Sequence, residues 1–207
     1  MQLWSDWLTL AGICILGAMS PGPSLAVIVR HSIHGGRRQG LMAAGAHGLG
    51  IGIYALLSVL GIAAILLAIP TLLRLLQIAG AIYLLFLAGK AGMGAWKKAA
   101  PPSPANGRTE TPAWRDGFLI AFLNPKVGLF FIALFSQFVG PSHTLTSKGL
   151  MALLAMTIDT LWYVLVALLL STTMARARFL RFHRWLDLLF ALLLGLVALR
   201  VLWSLGW

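Results

Sequence analysis

The chain has 207 residues, of which 59% are hydrophobic and only 10% charged, and its mean hydropathy is +0.89. That is more apolar sequence than one soluble core can bury, so an ordinary soluble domain is excluded and lipid is the solvent for most of the chain. The net charge of +11 would suggest nucleic acid in a soluble protein, but the basic residues fall in short loops between apolar runs, where they set membrane orientation, and no nucleic-acid partner is expected.

Six apolar stretches have the length needed to cross a bilayer, about 20 residues each. In chain order they are Leu3 to Val29, Leu41 to Ile69, Leu72 to Ala95, Trp114 to Val139, Leu150 to Met174 and Trp185 to Gly206. Backbone groups in hydrocarbon must be satisfied internally, and the alternation of a barrel strand is absent, so the runs are helices. The expected fold is an all-α integral membrane protein of six transmembrane helices. No cleavable signal is expected, because Met1 to Asp6 lacks a basic stretch and the first run is too long. Cys14 is the sole cysteine, which leaves no intramolecular disulfide and no CxxC pair.

Loop charges fix the expected orientation. Arg30, Arg37 and Arg38 follow the first span, Lys90, Lys97, Lys98, Arg108 and Arg115 surround the third loop, and Arg176, Arg178, Arg181 and Arg184 follow the fifth span. The opposite side carries only Arg74, Lys148 and Arg200. The odd loops are therefore cytoplasmic and both termini periplasmic. Residues 99–113, with Pro101, Pro102, Pro104 and Gly107, form a polar cytoplasmic linker between residues 1–98 and 114–207.

Three spans on each side of that linker place the second half upside down relative to the first, as two inverted three-helix repeats. Gly40-Leu41-Met42-Ala43 and Tyr54 recur 109 residues later as Gly149-Leu150-Met151-Ala152 and Tyr163. Arg74, Leu76, Ala81, Leu84, Ala88 and Lys90 align with Arg184, Leu186, Ala191, Leu194, Ala198 and Arg200 at an offset of 110. The first span of each half holds a helix breaker: Ser20-Pro21-Gly22-Pro23 in one, Asn124-Pro125-Lys126 in the other. Counted from Arg30 and Arg115 at 1.5 Å per residue, both breaks lie roughly 15 Å deep, at the midplane.

A proline in a helix frees carbonyls and starts a new half-helix with exposed N–H groups, which at midplane need protein, water or substrate as partners. Paired breaks of this kind point to the substrate site of a secondary transporter. The candidate substrate-binding residues are Ser20, Pro21, Gly22, Pro23, Ser24, Asn124, Pro125 and Lys126. The half-helix N-termini attract an anionic group, and Asn124 adds a neutral donor and acceptor. Lys126 neutralises a substrate carboxylate, pairs with Asp159 or snorkels along its stem.

Asp159 lies near midplane in the fifth span, where a carboxylate is costly and marks function by default. It is the candidate proton carrier, with a static pair to Lys126 as the structural alternative. His47, in Gly45-Ala46-His47-Gly48-Leu49-Gly50, is either a second proton-relay group or a neutral histidine bonded between close-packed helices.

These residues also carry a family resemblance. Ser20-Pro21-Gly22-Pro23, Ala79-Gly80-Ala81-x-Tyr83-Leu84, Asn124-Pro125-Lys126 with Phe130-Phe131 and Gln137-Phe138, and Asp159-x-x-Trp162 together resemble the LysE/RhtB family of amino-acid exporters, closer to its RhtB-like branch. The resemblance covers nearly the whole chain. It implies a bacterial inner-membrane protein that exports amino acids or related metabolites, driven by the proton gradient, with protons and a small-molecule substrate as partners. Ser136 departs from the family's Phe-Pro-Gln-Phe pattern and puts a bend near the outer end of span four in question.

Two other readings are weaker. An exporter of metal cations should show more intramembrane carboxylates, Cys or His, and no metal site is expected here. A membrane-integral enzyme should show HExxH, GxSxG, GxGxxG or a P-loop, and none is present. No cofactor is expected, and a homo-oligomer is compatible with the sequence.

Overall fold

The computed structural model describes residues 2–20, 22–96, 111–140, 143–169 and 173–206. Its elements are α1 (Gln2–Met19), α2 (Pro23–His34), α3 (Gly36–Ala68), α4 (Pro70–Trp96), α5 (Ala113–Phe122), α6 (Pro125–Phe138), α7 (Leu145–Leu169) and α8 (Thr173–Gly206). No strand occurs among the described residues.

Proline and glycine set most of the boundaries. Pro23 and Pro125 open α2 and α6, where a missing N–H costs nothing and the fixed φ suits the first turn. Between α2 and α3 the chain turns through Gly36 at φ +76, a left-handed conformation that only glycine adopts freely. The two expected breaks are therefore real: α1 and α2 meet at 57°, and α5 and α6 at 49°.

Three helices are each long and apolar enough to cross a membrane, over Gly36–Ile65, Thr71–Met93 and Leu145–Leu169. The bent pairs α1/α2 and α5/α6 pass the same test as pairs, and α8 adds a shorter apolar stretch, Leu188–Trp203. The outer surface is that of a protein in lipid: Leu8, Leu57, Leu67, Leu161 and Trp203 are exposed while His47 and Asp159 are buried. The chain is an all-helical, multi-pass membrane protein.

Several helices run past the apolar spans read from the sequence: α2 ends at His34 rather than Val29, α3 starts at Gly36 rather than Leu41, and α7 starts at Leu145 rather than Leu150. The largest difference is α8, which starts at Thr173 rather than Trp185, so Arg176, Arg178, Arg181 and Arg184 sit on helical backbone rather than in a loop. Nothing between 173 and 184 breaks a helix, since the segment holds neither proline nor glycine. At Ser136, α6 continues unbroken to Phe138, and the buried hydroxyl donates to the Ala133 carbonyl at 2.8 Å. Most of the linker 99–113 lies outside the described residues.

Packing pairs helices that lie far apart in the chain. α3 lies along α7, α4 along α8, and α5 against α3. Small residues permit the approach: a side chain at Gly48 would meet Thr160, one at Gly52 would meet Met156, and one at Gly117 would meet the Ala43 carbonyl. One apolar cluster joins α1, α3, α4, α5, α6, α7 and α8, and a second, built on Leu25, Ile28, Ala43, Tyr163 and Val166, joins α2 and α5 to α3 and α7.

Candidate substrate site

The breaks build the site from both halves. Gly22, extended at φ −168, caps α2 without a side-chain bond, and Pro23 and Ser24 form the first turn. Across the bundle Asn124 caps α6, its Oδ1 accepting the Lys126 N–H at 3.0 Å. This spends one of the two polar functions assigned to Asn124 on holding the half-helix start in place. The Lys126 ammonium reaches back to the first break, donating to Ser20 Oγ at 3.4 Å.

A cavity of about 70 Å³ lies between the breaks, several times the roughly 10–15 Å³ that one water requires. Ser20, Gly22, Pro23, Ser24, Asn124, Lys126, His47 and Asp159 all line it. Pro125 sets the start of α6 without lining the cavity, and Pro21 lies outside the described residues. The remaining wall is apolar, with Ile51, Val127, Phe130, Phe131 and Phe190. Phe130 closes on α1 at Gly17, where an added Cβ would stand 3.1 Å from its ring.

His47 on α3 donates from Nδ1 to Asp159 Oδ2 on α7 at 2.7 Å, with both residues buried. The Tyr163 ring stands edge-on to the imidazole, with centroids 4.6 Å apart. With Nδ1 engaged, His47 Nε2 is buried and has no hydrogen-bond partner among the described residues. The pair can hold one proton in two places, as an imidazolium–carboxylate or as a neutral imidazole with a carboxylic acid.

Two features of this arrangement, the partner of Asp159 and the tie made by Asp116, escaped the sequence. Asp159 is bonded to His47, a partner separated from it by 112 residues and not considered for it. Of the aromatic residues, Tyr163 lines the cavity, whereas the Tyr54 hydroxyl presses on α6 at Gly128. Asp116 also went unremarked, yet it ties α5 to α2 through Arg30 and His31. A signal for Asp116 was present, because Trp4-Ser5-Asp6 recurs as Trp114-Arg115-Asp116 at the same offset of 110 as the third spans.

A helical membrane protein whose two broken helices enclose a largely apolar cavity with a buried acid in its wall has the build of a small-molecule transporter. Comparison with known proteins gives the class a family: the model of the LysE type translocators matches residues 15–205. The chain belongs to that family and is a transporter rather than an enzyme. It is 29% identical over 186 residues to the threonine efflux protein of Escherichia coli K12, covering 87% of this chain and 89% of that one. It is 25% identical over 177 residues to the leucine efflux protein of Enterobacter sp. strain 638, covering 86% and 83%. No solved structure matches the chain.

Proposed function

We propose that this protein exports amino acids or related small metabolites from the cytoplasm across the bacterial inner membrane, in exchange for protons. The observation that carries the proposal is the single cavity that unites both helix breaks with the His47–Asp159 pair. The threonine and leucine efflux relatives support the cargo class.

The chemistry of the wall suits a zwitterion. The Lys126 ammonium and the start of α6 attract a carboxylate, Ser20 and Ser24 offer hydroxyls, and Asp159 attracts an α-ammonium. The Phe130, Phe131 and Ile51 wall receives an apolar side chain. Proton and cargo then compete for Asp159. A proton arriving from the periplasm cancels the attraction for the ammonium and frees the cargo outward; its release inward restores the charge for the next molecule.

The reading includes six spans in two inverted repeats, residues 1–98 and 114–207, joined by a cytoplasmic linker at 99–113, with both termini periplasmic. The pairing of α3 with α7 and of α4 with α8 supports it, since these are the helices that a two-fold axis in the membrane plane would relate. Lys126 serves the substrate on this reading, while Asp159 keeps its bond to His47.

The test is efflux of a panel of labelled amino acids from cells with and without the protein, each with and without a proton uncoupler. Faster efflux of at least one amino acid, abolished by the uncoupler, is the expected result. Efflux of none would overturn the cargo, and efflux indifferent to the uncoupler would overturn the coupling.

A further inference from the structure

At the α2/α5 end of the bundle a single carboxylate oxygen gathers three donors. Asp116 Oδ2 accepts from Arg30 Nη2 at 3.0 Å, His31 Nε2 at 2.9 Å and Thr111 Oγ1 at 2.7 Å. Arg30 and His31 belong to the broken span of the first half, Asp116 to that of the second. His31 is only 1% exposed, whereas the Asp116 and Arg30 side chains are 20% and 32% exposed, so the clasp is half-buried, with the histidine on its inner side. Along α2 it lies roughly 10 Å from Ser24, between the cavity and that end of the molecule.

The opposite end has the same ingredients in another state. Asp6 on α1 and His143 beyond α6 line one small cavity of about 10 Å³, the room of a single water. Neither is bonded to the other: His143 Nδ1 accepts the Gly140 N–H at 3.0 Å, and Asp6 stands 3.9 Å from the exposed Arg200. The sequence relates the two ends. Trp4-Ser5-Asp6 matches Trp114-Arg115-Asp116 at an offset of 110, and His34 with Gly40-Leu41-Met42-Ala43 matches His143 with Gly149-Leu150-Met151-Ala152 at 109. Each repeat thus contributes one carboxylate at the start of its broken span and a histidine near the end.

We infer that these are two alternating latches: Asp116 with Arg30 and His31 closes one end of the cavity, Asp6 with His143 closes the other, and transport exchanges which is made. In the structure the first set of bonds is made and the bond between Asp6 and His143 is not. This rests on the exporter reading above, taken with a cavity that opens to one side of the membrane at a time. In that scheme Asp116 and Asp6 are gating residues; they touch no substrate, and they act by setting which end of the cavity is open.

Cys14 lines the cavity and is the only thiol in the chain, so it reports access without added cysteines. The experiment measures the rate at which a membrane-impermeant methanethiosulfonate labels Cys14 in the full-length protein, in right-side-out and in inverted membrane vesicles. Asp116→Asn is expected to speed labelling at least about fivefold from one side and slow it from the other; Asp6→Asn is expected to shift both sides in the reverse sense. Rates within twofold of the parent for both variants would overturn the latches, and so would a change of equal sense on the two sides. Should Asp116→Asn fail to insert, the Asp6→Asn result decides alone. Amino-acid efflux by the parent protein is scored separately: labelling that shifts as expected without efflux keeps the latches and removes the cargo, whereas efflux with unmoved labelling removes the latches and keeps the cargo.

Discussion

His47 and Asp159, separated by 112 residues, meet at 2.7 Å on facing helices inside the bundle, in the wall of a cavity that both helix breaks line. Their meeting depends on the seam between α3 and α7, where Gly48 and Gly52 leave room for Thr160 and Met156. The pair proposed to carry the proton is thereby set beside the space proposed for a small zwitterion.

Asp159→Asn keeps a hydrogen-bond acceptor for His47 but removes the proton site. Uncoupler-sensitive export falls to the level of cells lacking the protein, while the thermal unfolding midpoint in detergent stays within a few degrees. His47→Ala behaves differently, leaving a buried carboxyl without its donor and costing about 1–3 kcal/mol. Export that survives Asp159→Asn with its uncoupler sensitivity intact would assign coupling to another group.

Lys126→Met removes the ammonium facing Ser20. A charge-assisted bond contributes about 1.5–3 kcal/mol, so KM for the exported amino acid rises roughly 10- to 100-fold, with a smaller change in maximal rate. Counterflow in proteoliposomes over a range of substrate concentrations measures it; an unchanged KM would mean that the lysine does not meet the cargo.

Asn124→Ala deletes the cap on α6. The loss is about 0.5–2 kcal/mol of stability, and the loosened half-helix start also weakens cargo binding. Asn124→Asp retains the acceptor and the cap, so it unfolds at a higher temperature than Asn124→Ala; equal midpoints would show that the cap bond is not made.

Gly48→Ala sets a Cβ against Thr160 and pushes α3 from α7. Overpacking of this kind costs about 1–3 kcal/mol, and export falls with it as the His47–Asp159 bond stretches. Gly45→Ala, on the same helix with nothing within 4 Å of the new carbon, is the control and changes stability by less than about 1 kcal/mol. Equal behaviour of the two variants would dissociate the seam from the site.

Much of the candidate site was legible because its signals are local. A proline inside an apolar run must break the helix wherever the run packs, so Pro23 and Pro125 marked α2 and α6 from the sequence alone. An acid in hydrocarbon is expensive in any fold, so Asp159 stood out as well. The boundary at Thr173 was missed for the opposite reason: charge marks a membrane surface but does not end a helix, and the basic run continues α8 past that surface.

The sequence by itself determined the solvent, the helical class and the two breaks, since each follows from the cost of unsatisfied polar groups in lipid. Only the tertiary structure decided partners. It joined Asp159 to His47, Lys126 to Ser20 and Asp116 to Arg30 and His31, because hydrogen-bond reach between residues a hundred positions apart is set by how closely the helices pack, and that depends on which small residues face which neighbours.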